Sequence, residues 1–374
     1  MRLVDRVFRP GPKDDRLAFL VDLPDAKSAD HPAWSARREM MAEWHRSLLA
    51  DRDKLGLEEV RLIHYANVGR NNADLPETAV VHDRGDPPSH AKQLVGRGVS
   101  FESVFDSYRI FIAATEFSAT APLKLKAREH GFRAATMPGF RASMIPALRL
   151  DYEEIDRRCR DLKVVLDRAE SAILRFEADG IERELQLDLR HRRATASGGL
   201  VREPGTAGNL PSGETYIVPY EGERAEDASR SRGVLPLELH GELLVYRIER
   251  NRIVEVLGEG SRAEAERREV AAEPAYANVA ELGLGILADY GVRPVGEILL
   301  DEKLGLHIAF GRSDHFGGSV GAKDFSSPAS VVHIDRVYLP EVQPRVRVLA
   351  VDLEPRHVPL IRDGRFVPID LEAG

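Results

Sequence analysis

The hydrophobic period of this chain changes once, near residue 180, and one layer of structure cannot satisfy both patterns. Beyond that point Leu185, Leu187 and Leu189 alternate with Glu184, Gln186, Asp188 and Arg190. That period of two belongs to a half-buried antiparallel strand. Upstream, short apolar runs alternate with longer helical patterns: LAFLVDLP, WSARREMMAEWHRSLLADRDKLG and VRLIHYANV. A second set follows, with SYRIFIAATEF, the helical APLKLKAREHGF closed by Gly131, and RAATMPG. The order strand, helix, strand predicts βαβ steps in an open, mostly parallel sheet. The class is therefore α/β, with an N-terminal open-sheet domain over 1–180 and a β-rich domain over 181–374. A length of 374 residues suits two such cores.

Around the junction, residues 151–174 place Ile155, Cys159, Leu162, Leu166 and Ile173 on one helical face, which makes Cys159 a buried small apolar residue. The Gly-, Ser- and Pro-rich ASGGLVREPGTAGNLPSGE reads as the separating loop. Further on, GELLVYRIERNRIVEVLG reads as a hairpin turning near Arg250–Asn251.

Composition narrows the chemistry. One cysteine among 374 residues excludes a disulfide framework and any cysteine-based zinc or iron–sulfur site, so a metal here needs histidine and carboxylate ligands. A formal charge of −8 with no basic face argues against nucleic acid as partner. The charged N-terminus, MRLVDRVFRPGPKDD, lacks the apolar core of a signal peptide, and no run approaches a membrane span. We expect a cytoplasmic homodimer acting on a small molecule or short peptide.

The candidate ligands all fall after the junction. In VVHIDRV, His333 and Asp335 are two apart in a β-branched run, so both project from the same strand face. H-x-D alone is a frequent strand pattern. In HIAFGRSDHFGG, His307 sits in a strand-like run that ends in Gly311, and Asp314 and His315 fall in the glycine-bounded turn that follows. Glu281 lies in the apolar NVAELGLG, where an unpaired carboxylate costs several kcal/mol, so it needs a partner. Glu214 stands where the loop GNLPSGE becomes a strand. Two histidines with several carboxylates suit Zn, Mn, Co or Fe(II). Three anionic ligands exceed what one open zinc site usually takes, which favours two ions sharing a carboxylate.

The successive segments GNLPSGETYIVP, NVAELGLG, ILLDEKLGLHIAFG and VVHIDRV resemble, in order and approximate spacing, the motifs of the thermophilic metalloaminopeptidase family of the aminopeptidase T and S type. VFDSYRIFIAATEFSATAP and EHGFRAATMPGF resemble that family's N-terminal α/β domain. The resemblance implies a hydrolase that cleaves a peptide or amide bond by metal-activated water. It makes Glu214, Glu281, His307, His333 and Asp335 metal ligands and Glu302 the general base. Asp314 stands where the family has a tyrosine ligand and is counted with the ligand set. Arg312 and His315 are assigned to substrate contacts.

A related scaffold, the iron-dependent 2,5-dihydroxypyridine 5,6-dioxygenase, supplies the alternative. There His307 or His315, with His333 and Asp335, makes a facial triad for Fe(II) and ring cleavage. Glu281 favours the hydrolase, because a triad with open positions has less use for further acidic ligands. A third reading, with the metal set degenerate, is a small-molecule or peptide binding protein. His64, Tyr65, His82 and His90 are read as surface residues.

Overall fold

A computed structural model describes residues 2–82, 86–96, 98–339, 342–353 and 356–368. It resolves two compact units: Met1–Glu154 with Gly199–Ser212, and Ile155–Gly198 with Gly213–Gly374. The chain thus passes between them at 154/155, 198/199 and 212/213, where the sequence suggested one boundary near 180. The supposed separating loop is the reason. Its Ala207–Asn209 forms an edge strand, parallel to Arg133–Thr136. There the Asn209 Oδ1 accepts hydrogen bonds from Thr136 Oγ1 at 2.7 Å and Thr120 Oγ1 at 2.9 Å.

The first unit is the mostly parallel sheet expected. Its seven strands run in the order Ala207–Asn209, Arg133–Thr136, Ile110–Ala113, Arg16–Leu23, Glu59–Ala66, Thr78–His82, Val99–Ser100. Only the last two pairings are antiparallel. Arg16–Leu23 is buried at every position after the first, as befits a strand covered on both faces. The helix Pro32–Asp51 connects it to its parallel neighbour, opening on Pro32 with the His31 ring accepting the Trp34 N–H. Thr120–His130 ends at Gly131, whose φ of 73° is the left-handed turn glycine takes without steric cost. On one side of the sheet Phe105, Phe111, Leu123 and Phe132 form the core, with Phe111 and Phe132 ring centroids 4.7 Å apart.

The surface reading of His64 and Tyr65 is corrected here. Both lie in Glu59–Ala66 and are buried, at 2% and 1% exposure. His82 and His90 are partly buried.

The second unit is antiparallel throughout. From Ile155 onward the helix Tyr152–Arg168 belongs to it and buries Ile155, Cys159, Leu162 and Leu166 as the periodicity required. Ile173 is not part of that face. It belongs to the strand Ser171–Ala178, which pairs with Ile181–Asp188 across Asp179 and Gly180, both at positive φ. That is the primed turn whose twist suits a two-residue hairpin. The hairpin at Arg250–Asn251 forms as expected, with φ of 47° and 65°. These strands build an eight-stranded sheet, and a separate five-stranded sheet carries Glu214, Glu281, His307, His333 and Asp335. Among the described residues, no helix is long and apolar enough to cross a membrane.

Candidate metal centre

The five-stranded sheet runs in the order His333–Val337, Leu306–Gly311, Val279–Gly285, Glu214–Ile217, Thr195–Ser197. Its register sets Glu214 opposite Gly285, Gly283 opposite His307, Glu281 opposite Ala309, Ala309 opposite Asp335, and Gly311 opposite His333. Alternation therefore collects Glu214, Glu281, His307, His333 and Asp335 on one face. The other face is apolar and buried: Leu282, Leu284, Leu306, Ile308 and Phe310. Phe310 meets Tyr246 of the eight-stranded sheet at 5.4 Å between ring centroids. Thr215 also points that way and donates its hydroxyl to the Cys159 carbonyl at 2.8 Å.

On the polar face, Glu281 stands between the two imidazoles. Its Oε1 lies 3.2 Å from His307 Nε2, and its Oε2 lies 3.3 Å from His333 Nε2. His307 Nε2 is also 3.7 Å from Glu214 Oε2, and His333 Nε2 is 3.6 Å from Asp335 Oδ1. These separations match the edges of a coordination shell whose bonds are about 2.0–2.2 Å long. Among the described residues, the potential ligands form two groups: Glu214, Glu281 and His307, and Glu281, His333 and Asp335. Glu281 belongs to both.

Glycine makes the crowding possible. A Cβ at Gly283 would stand 1.9 Å from His307 Nε2, so only glycine leaves the ring its place. A Cβ at Gly285 would meet the Lys303 carbonyl carbon at 2.2 Å, which is how the segment after the helical turn Ile298–Asp301 reaches the sheet. Gly311, at φ 104°, gives the same clearance beneath Val332.

Lys303 completes the cluster. It is 1% exposed, places its Nζ 2.6 Å from Glu214 Oε1, and pairs with Glu302 as well. Burial opposes charge on Lys303, but the two carboxylates more than offset it and keep the ammonium ionised. Glu281 behaves likewise: burial disfavours its charge, yet hydrogen bonds from His307 and His333 hold it well below the usual carboxylate range. Burial pushes Glu302 up to about 8 against the pull of Lys303, with Glu214 and Asp335 adding to the rise. Against the cost of burial, Glu281 raises His307 to about 9, and Asp335 and Glu281 raise His333. Negative charge in this pocket therefore recruits protons onto both imidazoles, the places a divalent ion would occupy instead.

Two further observations fit a cation. Glu214 Oε2 is buried without a hydrogen-bond partner among the described residues, although its other oxygen is held by Lys303. His333 Nδ1 donates to the Arg312 carbonyl at 2.7 Å, so once a cation displaces its other proton, Nε2 is the nitrogen that offers a lone pair beside the carboxylates. Carboxylate and imidazole donors together suit Zn, Mn, Co or Fe(II).

Not every residue expected at the site joins these groups. Asp314 is in neither. It accepts from Arg312 Nε at 2.6 Å, two residues away in the turn, and that ion pair satisfies it without a metal. The Arg312 guanidinium is spent on the same contact, and it is the Arg312 backbone that touches the site. His315 packs beside the ligands, 5.4 Å from His333 between ring centroids, with Phe316 at 5.3 Å. Glu302 lies at the edge, paired with Lys303. Lys303 and the glycines of NVAELGLG were missed by reasoning from ligand types alone.

No protein-family model matches the chain, and no curated protein matches it in sequence. Solved structures do. The chain is similar to the 2,5-dihydroxypyridine dioxygenase of Pseudomonas putida KT2440, with a TM-score of 0.61 and 14% identity over 99% of this chain and 97% of that one. It is also similar to the wild-type aminopeptidase T (AmpT) of Thermus thermophilus, with a TM-score of 0.57 and 16% identity over 98% of each chain. Both likenesses run nearly end to end, and at these identities they establish a shared α/β fold.

Proposed function

We propose that the chain is a divalent-metal-dependent hydrolase of the aminopeptidase type, cleaving a peptide or amide bond in a short peptide or small molecule. The observation that carries this reading is the double engagement of Glu281, one oxygen toward each histidine, which joins two ligand groups through one carboxylate. Bound there, a pair of Zn, Mn or Co ions would acidify a water and polarise the scissile carbonyl.

The chain's own residues supply the rest. Glu214 and His307 would hold one ion and His333 and Asp335 the other, with Glu281 contributing to both. Glu302, held at the edge of the cluster by Lys303, would accept a proton from the attacking water and pass it to the leaving amine. Lys303 keeps Glu302 and Glu214 in place. His315 and Phe316 form a wall beside His333 against which a substrate side chain can rest. Asp314, tied to Arg312, holds the turn that carries them.

The likeness to a dihydroxypyridine dioxygenase supports a second reading, with Fe(II) on a two-histidine, one-carboxylate triad and a hydroxylated pyridine-like or aromatic substrate. That chemistry needs His307 or His315 in one group with His333 and Asp335. Among the described residues neither histidine joins them, and the first reading is preferred. The deciding experiment loads metal-free protein in parallel with Zn, Mn, Co or Fe(II) and assays aminoacyl amides and dihydroxypyridines. Amide cleavage with Zn, Mn or Co supports the hydrolase. Oxygen uptake with Fe(II) alone overturns it.

A further inference from the structure

The two ligand groups share Glu281 but differ in everything around it. In the first group, Glu214 gives one oxygen to the Lys303 ammonium at 2.6 Å, so only Oε2 remains for a metal. The carboxylate can bind through one oxygen only, and a fixed positive charge stands beside the ion it would hold. Lys303 is 1% exposed, so water does little to screen that repulsion. His307 has no support of its own, because its Nδ1 finds no hydrogen-bond partner among the described residues.

The second group is built differently. The Nδ1–H of His333 is held by the Arg312 carbonyl at 2.7 Å, which fixes ring orientation and tautomer before any ion arrives. That carbonyl belongs to a braced turn. Glu221, nearly buried, accepts hydrogen bonds from Ser319 Oγ at 2.7 Å and Asn278 Nδ2 at 2.7 Å, and receives Arg192 at 3.2 Å. His333 and Asp335 also share one strand, two residues apart. No lysine or arginine side chain pairs with Asp335 among the contacts of the described residues, so its charge is undivided.

We infer that Lys303 makes the two metal positions unequal. The position of His333 and Asp335 is tight and fills first, and the position of Glu214 and His307 is loose and exchangeable. Lys303 is a positioning residue in this scheme: it fixes the geometry of Glu214 and lowers the affinity of the position that Glu214 serves. The inference rests on the two-ion reading above and deepens it.

The test is a titration of the metal-free protein with Co²⁺, followed by calorimetry and by visible absorption, with thermal melts to confirm folding. The wild type is expected to bind two equivalents in classes at least about tenfold apart in Kd. His307→Ala is expected to lose only the weak class and keep one tight equivalent. His333→Ala is expected to lose the tight class. Lys303→Met should narrow the gap by tightening the weak class, while Lys303→Arg should preserve it. If Lys303→Met fails to fold, the histidine pair still decides the order of filling.

Two equivalents of equal affinity, or loss of the tight class in His307→Ala, would overturn the inference and leave the two-ion reading standing. A single equivalent that needs both histidines, or no binding at all, would overturn both.

Discussion

The ring of His307 fills the space that a side chain at residue 283 would need: a Cβ on Gly283 would stand 1.9 Å from Nε2. The two residues face each other across paired strands, so the ring has little freedom to withdraw. Gly283→Ala should therefore displace the imidazole, at a cost of about 1–3 kcal/mol in stability. Metal analysis should show one of two equivalents lost. Retention of both would mean that His307 is not a ligand.

Glu281 serves both groups, whereas Glu214 serves one. Glu281→Gln should impair both positions and bring bound metal below one equivalent, and Glu214→Gln should leave one. Inductively coupled plasma mass spectrometry on protein purified without chelator measures this. Equal losses in the two variants would contradict a bridging role.

Glu302 lies in neither ligand group, and its carboxyl is raised to about 8. Glu302→Gln keeps the shape and a hydrogen-bond acceptor for Lys303 but removes the base. Turnover of an amide substrate should fall about 10²–10⁴-fold with metal content unchanged. A comparable loss of metal would make Glu302 a ligand instead.

His64 offers a pH prediction remote from the metal centre. Burial, with His82 nearby, depresses its imidazole to about 3, and its Nδ1 is buried without a hydrogen-bond partner among the described residues. The unfolded chain takes up a proton near pH 6.5, while the folded chain takes it up only near pH 3. Stability from this group is thus complete above about 6.5 and is lost as pH falls toward 3. Between pH 7.5 and 5, the wild type should lose ~1–2 kcal/mol more than His64→Gln in denaturant melts. Parallel losses would show that His64 does not titrate in this way.

Much of the fold was legible because it depends on period. The parallel strands of the first unit and the helix through Cys159 follow from apolar spacing, and the Arg250–Asn251 hairpin from its turn. The ligands on strands were legible for the same reason, since His333 and Asp335 two apart must share a face. What escaped depends on contacts distant in sequence. Ala207–Asn209 is a strand only because Arg133–Thr136 offers it an edge. His64 sits in a strand buried on both faces, where alternation carries no information. Lys303 follows two acidic residues and looks solvated until Gly285 is seen to admit its backbone. Asp314 carries the right chemistry for a ligand, but its neighbour Arg312 claims it first.

The pairing of ligand groups through Glu281 is most directly tested by anomalous scattering from crystals soaked in Mn²⁺. Two peaks are expected on this sheet face, one among Glu214, Glu281 and His307 and the other among Glu281, His333 and Asp335, the second at higher occupancy. A single peak held jointly by His307, His333 and Asp335, or no peak on this face, would contradict the two-ion centre.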